Sequence, residues 1–139
     1  MFKLIKFIRT ISERRNVSKP QILSRLRYVN IIKRPDEIEQ ERVYRERYNE
    51  LQDWNEKYWA ENNEIFNREK EKYIKENFGT STNDQALSHD QLAPFYREFL
   101  DKNRGRHVLY NKTWYKQIIT LLSDSLKAKA ARLTKYRDR

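Results

Sequence analysis

Glu50-Leu-Gln-Asp-Trp-Asn-Glu-Lys-Tyr-Trp-Ala-Glu-Asn-Asn-Glu-Ile-Phe66 is the stretch whose reading decides the fold. Placed on a helix at 100° per residue, Tyr44, Tyr48, Leu51, Trp54, Tyr58, Trp59, Ile65, Phe66 and Tyr73 fall in one broad stripe. Glu46, Glu50, Asp53, Glu56, Lys57, Glu61, Glu64 and Glu71 lie largely outside it. The pattern is an amphipathic helix with an aromatic face, too charged to be buried all round. Asn55 and Asn62 sit inside the stripe. A buried amide costs energy unless it is hydrogen-bonded, so these two are either rim positions or polar contacts that fix how another helix docks.

The rest of the composition agrees with helices. Hydrophobic residues make up 37% of the 139 and charged ones 36%, with 9 Tyr, 6 Phe and 3 Trp, so the core must be thin and ring-rich. Two glycines and three prolines supply little of the turn chemistry that a sandwich or barrel needs. We therefore expect an all-α fold of one domain. The lack of cysteine excludes disulfides and thiolate metal sites. With two histidines and one methionine, no metal or cofactor is expected.

Charge is unevenly distributed. Residues 1–34 hold ten Lys/Arg against one acid, 35–101 hold nine against seventeen, and 102–139 hold eleven against two. An acidic middle between two basic ends is not the uniform basic surface of a nucleic-acid binder.

Residues 1–15 alternate Leu4, Ile5, Phe7, Ile8 and Ile11 with Lys3, Lys6 and Arg9, with no acid before Glu13. This is the pattern of a mitochondrial transit peptide; the other reading is an amphipathic helix retained as a membrane-surface anchor or core piece. Residues 16–35 read as a basic connector, bracketed by Pro20 and Pro35, with a helical turn at 21–27 and an extended strap after it.

Pro35-Asp36-Glu37 is expected to open a long helix, about 36–78, ended by Gly79. Thr80 to Ala86 is a polar loop. Ser88 and Gln91 form a capping-box signature for a shorter helix at about 89–103, kinked by Pro94 and ended at Asn103-Arg-Gly105. Asn111 is then a good N-cap for a third helix at about 112–135, with Trp114, Ile118, Leu121, Leu122 and Ser125 at helical spacing and Tyr115, Ile119 and Leu126 widening the stripe. Residues 36–126 form the expected helical domain. Residues 127–139 form a basic helical tail anchored only by Leu133 and Tyr136. No apolar run is long enough to span a membrane.

Catalytic chemistry has little to work with. His89 reads as a first-turn surface residue and His107 as a loop residue that bonds locally. Neither follows a glutamate at the Glu-x-x-His spacing of di-metal helical bundles. We expect no enzyme. The rings are core or a docking surface, since Trp, Tyr and Arg dominate protein–protein hot spots.

Three segments together resemble one family. They are Asp53-Trp-Asn-Glu-Lys-Tyr-Trp-Ala-Glu-Asn-Asn63 with Phe66 and Glu69-Lys-Glu71, then Ala93-Pro-Phe-Tyr-Arg-Glu-Phe-Leu100, then His107-Val-Leu-Tyr-Asn-Lys-Thr-Trp-Tyr-Lys116. In this order they resemble the cytochrome c oxidase assembly factor 8 family, also called the mitochondrial apoptogenic protein family. The family has an upstream Ser-Asn-Leu-Arg-Pro-like motif; here Ser24-Arg-Leu-Arg27 resembles it, with Tyr28 in place of the proline.

The resemblance implies a protein on the matrix side of the mitochondrial inner membrane that supports assembly or protection of complex IV without enzymatic activity. The expected partners are complex IV subunits or assembly intermediates, with Trp54, Asn55, Trp59, Phe95, Tyr96, Tyr110, Asn111 and Trp114 as the contact residues. The basic tail would lie near anionic inner-membrane lipid. The alternative is a basic helical RNA-binding or mitoribosome-associated protein, suggested by the sequence pI of about 9.8.

Overall fold

The computed structural model describes residues 15–79 and 87–137. The expected transit peptide, apart from the backbone of Arg15, and the 80–86 loop lie outside the described residues. So do the last two residues of the expected tail.

Two long helices, α1 (Glu39–Phe78) and α2 (His89–Arg137), lie side by side, preceded by two short strands, β1 (Arg15–Pro20) and β2 (Arg27–Ile31). The helices run antiparallel. Tyr73 bonds the Gln91 carbonyl, Trp59 meets Tyr110, and Arg47 meets Asp124.

The start of α1 corrects the expectation. Pro35 and Asp36 form a turn, with Glu37 N donating to Arg34 O at 3.2 Å, and the helix begins three residues later than expected. The cause is that the acids are engaged elsewhere. Glu37 takes both ends of the Arg45 fork at 2.8 and 3.0 Å, and Asp36 accepts from Arg132 at 2.7 Å. Glu41 reaches back to Ile38 N at 3.3 Å, half of a capping box. Gly79 ends α1 at φ +86°, the left-handed region that a side chain would strain.

At the start of α2 the capping box is complete. Ser88 Oγ accepts from Gln91 N at 3.4 Å, and Gln91 Oε1 accepts from Ser88 N at 2.8 Å. Pro94 sits inside the helix without ending it. It strips a donor from the carbonyl of exposed Asp90, which water can satisfy.

The expected break at Asn103-Arg-Gly105 and restart at Asn111 do not occur; 89–103 and 112–135 belong to one helix of 49 residues. Continuous winding brings Phe99, Arg106 and Tyr110 onto one face against α1, and those contacts outweigh the local stop signal. Asn111 is an exposed mid-helix residue rather than a cap. The tail is anchored differently as well. Leu133 is exposed, while Ala128 and Arg132 are buried, and Arg132 clasps Glu41 as well as Asp36.

The strap is a β-hairpin, so the fold is mostly helical rather than wholly so. Val17 pairs with Val29 in an antiparallel register, with an irregularity before Pro20. Gln52 docks it on α1: its Oε1 accepts from Val29 N at 2.7 Å, and its Nε2 donates to Val29 O at 3.0 Å. Asn63 Nδ2 donates to Leu23 O at 2.9 Å. Gln52 thus satisfies backbone groups that a two-stranded sheet leaves open at its edge, and Asn63 a carbonyl of the turn between the strands.

Gly105 lies in the exposed middle of α2, and nothing stands within 4 Å of where a Cβ would be. Gly105→Ala should therefore raise the thermal midpoint, by about 0.5–1 kcal/mol of helix propensity. A drop in the midpoint would mean that the chain does not wind continuously there.

Candidate functional site

The site is the aromatic cluster that locks the middle of the helical hairpin formed by α1 and α2. Trp54 and Tyr58 are one turn apart on α1, and the ring of Tyr110 from α2 slides between them. Tyr110 stacks on Tyr58 at 4.0 Å between centroids and on Trp54 at 4.9 Å, and meets Trp59 edge-on at 5.6 Å. Its hydroxyl donates to Asn55 Oδ1 at 3.1 Å and accepts from Trp59 Nε1 at 2.9 Å. A ring held on both faces and at its polar tip cannot shift along the helix without losing all of these contacts.

One turn further along, Tyr58 Oη and His107 Nδ1 share a hydrogen bond at 2.7 Å. Arg106 donates to the Oδ1 of buried Asn62 at 2.7 Å and holds its guanidinium 5.6 Å from the Tyr58 ring centre. Burial pushes the Tyr58 phenol above its ordinary value. Burial, followed by the Arg106 charge, lowers the His107 imidazole below its own. The pair is therefore neutral near pH 7 and acts as a structural contact. His107 is a mid-helix residue reaching across to α1, not the loop residue expected.

Of the residues expected to bind a partner, the structure brings Trp54, Asn55, Trp59 and Tyr110 together in this cluster. Phe95 is buried in a second cluster, nearer the end where α1 stops and α2 starts, where Phe66 meets Phe95 at 5.5 Å, Tyr96 at 6.0 Å and Phe99 at 5.1 Å. Asn111 and Trp114 belong to neither cluster. Trp114 is half-exposed with its ring edge against Tyr115.

Sequence reasoning missed Tyr58, Arg106 and His107 as parts of the site, and left Asn62 as either a rim position or a docking amide. Asn62 had left a signal, an amide seven residues after Asn55 inside an aromatic stripe. Both amides prove to be grips on the other helix. Among the described residues, no group of His, Asp and Glu could hold a metal ion.

Comparison with known proteins places this chain in a family. The family model described as "Cytochrome c oxidase assembly factor 8" matches residues 14–134. The chain belongs to the cytochrome c oxidase assembly factor 8 family. It is similar to a mitochondrial member from Caenorhabditis elegans, 33% identical over 116 residues that span 84% of this chain and 82% of that protein. A Caenorhabditis briggsae member, also labelled mitochondrial, is 32% identical over the same shares. The human cytochrome c oxidase assembly factor 8 is 34% identical over 109 residues, which cover 73% of this chain and 53% of the human protein. No solved structure matches the chain.

Membership makes sense of the departure at Ser24–Arg27. Ser24 is buried, and its Oγ accepts from Leu26 N at 3.2 Å. Arg25 is the only non-glycine with positive φ among the described residues, at +62°. The Ser-Asn-Leu-Arg-Pro-like motif that this stretch resembles would put Asn there, the non-glycine side chain that best tolerates a left-handed backbone. At the proline position, Tyr28 uses its N–H to donate to Ser18 Oγ at 2.8 Å, a bond that proline cannot make.

Arg25→Asn should thus stabilise the fold by roughly 0.5–1 kcal/mol, read as a higher thermal midpoint. An unchanged or lower midpoint would show that Arg25 carries no strain. For His107, the folded chain holds the imidazole neutral while the unfolded chain titrates near its ordinary value of about 6.5. Its contribution is complete above that pH and is lost as pH falls through the lowered folded value. Denaturant titrations between about pH 7.5 and 5 should lose stability more steeply in the native chain than in His107→Gln, and equal slopes would remove this account.

Proposed function

We propose that this chain is a mitochondrial accessory protein that supports assembly or protection of cytochrome c oxidase, acting through protein contacts and not as an enzyme. The observation that carries the reading is the family match across 14–134, together with mammalian relatives named as cytochrome c oxidase assembly factors. The worm relatives labelled mitochondrial support the location. The acid-poor first 15 residues fit a transit peptide, and the family resemblance implies a place on the matrix side of the inner membrane. No helix among the described residues is long and apolar enough to cross a membrane.

The contact residues divide into two groups. Trp54, Asn55, Trp59, Phe95 and Tyr110 hold the hairpin in shape. Tyr96, Asn111 and Trp114 keep exposed edges and are the ones we assign to a complex IV subunit or assembly intermediate.

Cells lacking the chain should show reduced complex IV on native gels, restored by the wild type. Trp114→Ala should fold with little change in thermal midpoint yet restore complex IV poorly, weakening the contact by about tenfold, whereas Tyr96→Ala also loses its stack on Phe66 and should lower the midpoint as well. Normal complex IV in the deleted cells would sink the proposal, all the more if the chain instead sediments with ribosomes in a salt-sensitive way.

A further inference from the structure

Helix α2 has a second apolar seam that the hairpin does not use. Val108, Tyr115, Ile119, Leu122, Leu126 and Leu133 are 45% to 69% exposed. At 100° per residue they fall within an arc of about 60°, on the side of α2 opposite Tyr110, Leu121, Asp124 and Ala128. From Tyr115 onward the spacing is four, three, four, then Lys129 three on and Leu133 four beyond that. This is the alternation of a helix seam that meets another helix, and its narrowness sets it apart from the wide apolar face with which a helix lies in a lipid surface.

The seam's surroundings specify the occupant's charge. Between Lys102 and Arg137 the one carboxylate is Asp124, which is buried and paired with Arg47. Lys112 and Lys116 flank one side, and from Tyr115 onward Lys129 stands at the single seam position that is not apolar. A second copy meeting this face would set these lysines against each other with no acid between them. The outer face of α1 offers no exposed large hydrophobic residue for it to meet instead. Residues 1–14 of this chain carry the wrong sign, four Lys/Arg against Glu13.

We propose that the outer face of α2 from Val108 to Leu133 docks an acidic amphipathic helix of another protein. Apolar residues of that helix would interleave with the seam, and Asp or Glu would face Lys112, Lys116 and Lys129. A carboxylate opposite Lys129 would fix the register, as a lone polar group within an apolar helix seam does. The complex IV reading takes Asn111 at the edge of this face and none of the seam's apolar residues, and the inference stands without that reading.

The test places the photo-cross-linking residue p-benzoylphenylalanine at Tyr115 of the full chain, in cells that naturally express it, and sequences the adducts. The expected adduct is a segment of another protein with apolar residues at three- and four-residue spacing flanked by Asp and Glu. Leu122→Glu should cut its yield about tenfold while leaving the thermal midpoint within error, because Leu122 is 60% exposed on the side of α2 away from α1. Adducts to lipid, to the chain itself, to a basic or non-helical segment, or none above those of the same label at Glu61 on α1 would overturn the proposal. So would binding to phosphatidylcholine–cardiolipin vesicles that Leu122→Glu abolishes.

Discussion

Everything in the hairpin depends on the ring of Tyr110 held between Trp54 and Tyr58. Two helices cannot enclose a core. No side chain among the described residues is fully shut from solvent, and the buried apolar residues are seven in number. Apolar burial at about 25 cal/mol per Å² is a non-directional force and would tolerate sliding of one helix past the other. Stacking on two faces, with hydroxyl bonds to Asn55 and Trp59, is directional. It sets the register from which the outlying contacts follow: Arg106 on Asn62, Phe99 on Phe66 and Arg47 on Asp124. A thin core is thus made specific by polar tips on aromatic bodies.

The same logic explains the buried charges. Arg132 is 2% exposed and Asp124 is 7% exposed. Withdrawing such groups from water is costly, and pairing mostly offsets that cost without adding much net stability. What the pairs supply is position. Arg132 ties the last turns of α2 to Asp36 and Glu41 at the mouth of α1. Burial pushes the Asp36 carboxyl up, but the charges of Arg132 and Arg34 outweigh it and hold it below the usual range.

What could be read from the sequence was what neighbouring residues decide. The stripe of α1, its glycine stop and the Ser88–Gln91 box depend on residues a few positions apart, and they appear where local chemistry puts them. The two stripe amides announced a docking role because an amide among rings has few other uses. The failures were long-range. Gly105 and Asn111 carry stop and start signals worth about 1 kcal/mol, less than the cross-helix contacts made by the residues between and around them. Strands β1 and β2 depend on Gln52 and Asn63, more than twenty residues away, and a bare two-stranded hairpin is marginal on its own. Arg132 read as a solvated tail charge because its carboxylate partners lie about ninety positions earlier.

The overrun past Gly105 also explains how α2 comes to have two faces. Had the chain broken there, Tyr115, Ile119, Leu122 and Leu126 could have turned inward with Trp114 and Ile118 as one broad stripe. Continuous winding fixes the phase of everything after Tyr110. Leu121, Asp124 and Ala128 then face α1, and the other apolar residues are rotated to the far side. The outer seam is therefore a consequence of the register lock. Holding those leucines and isoleucines in water forgoes about 1.5–3 kcal/mol each of possible burial. A chain with so little apolar material leaves that much unburied at a cost to its own stability, which is the physical ground for expecting the face to be covered.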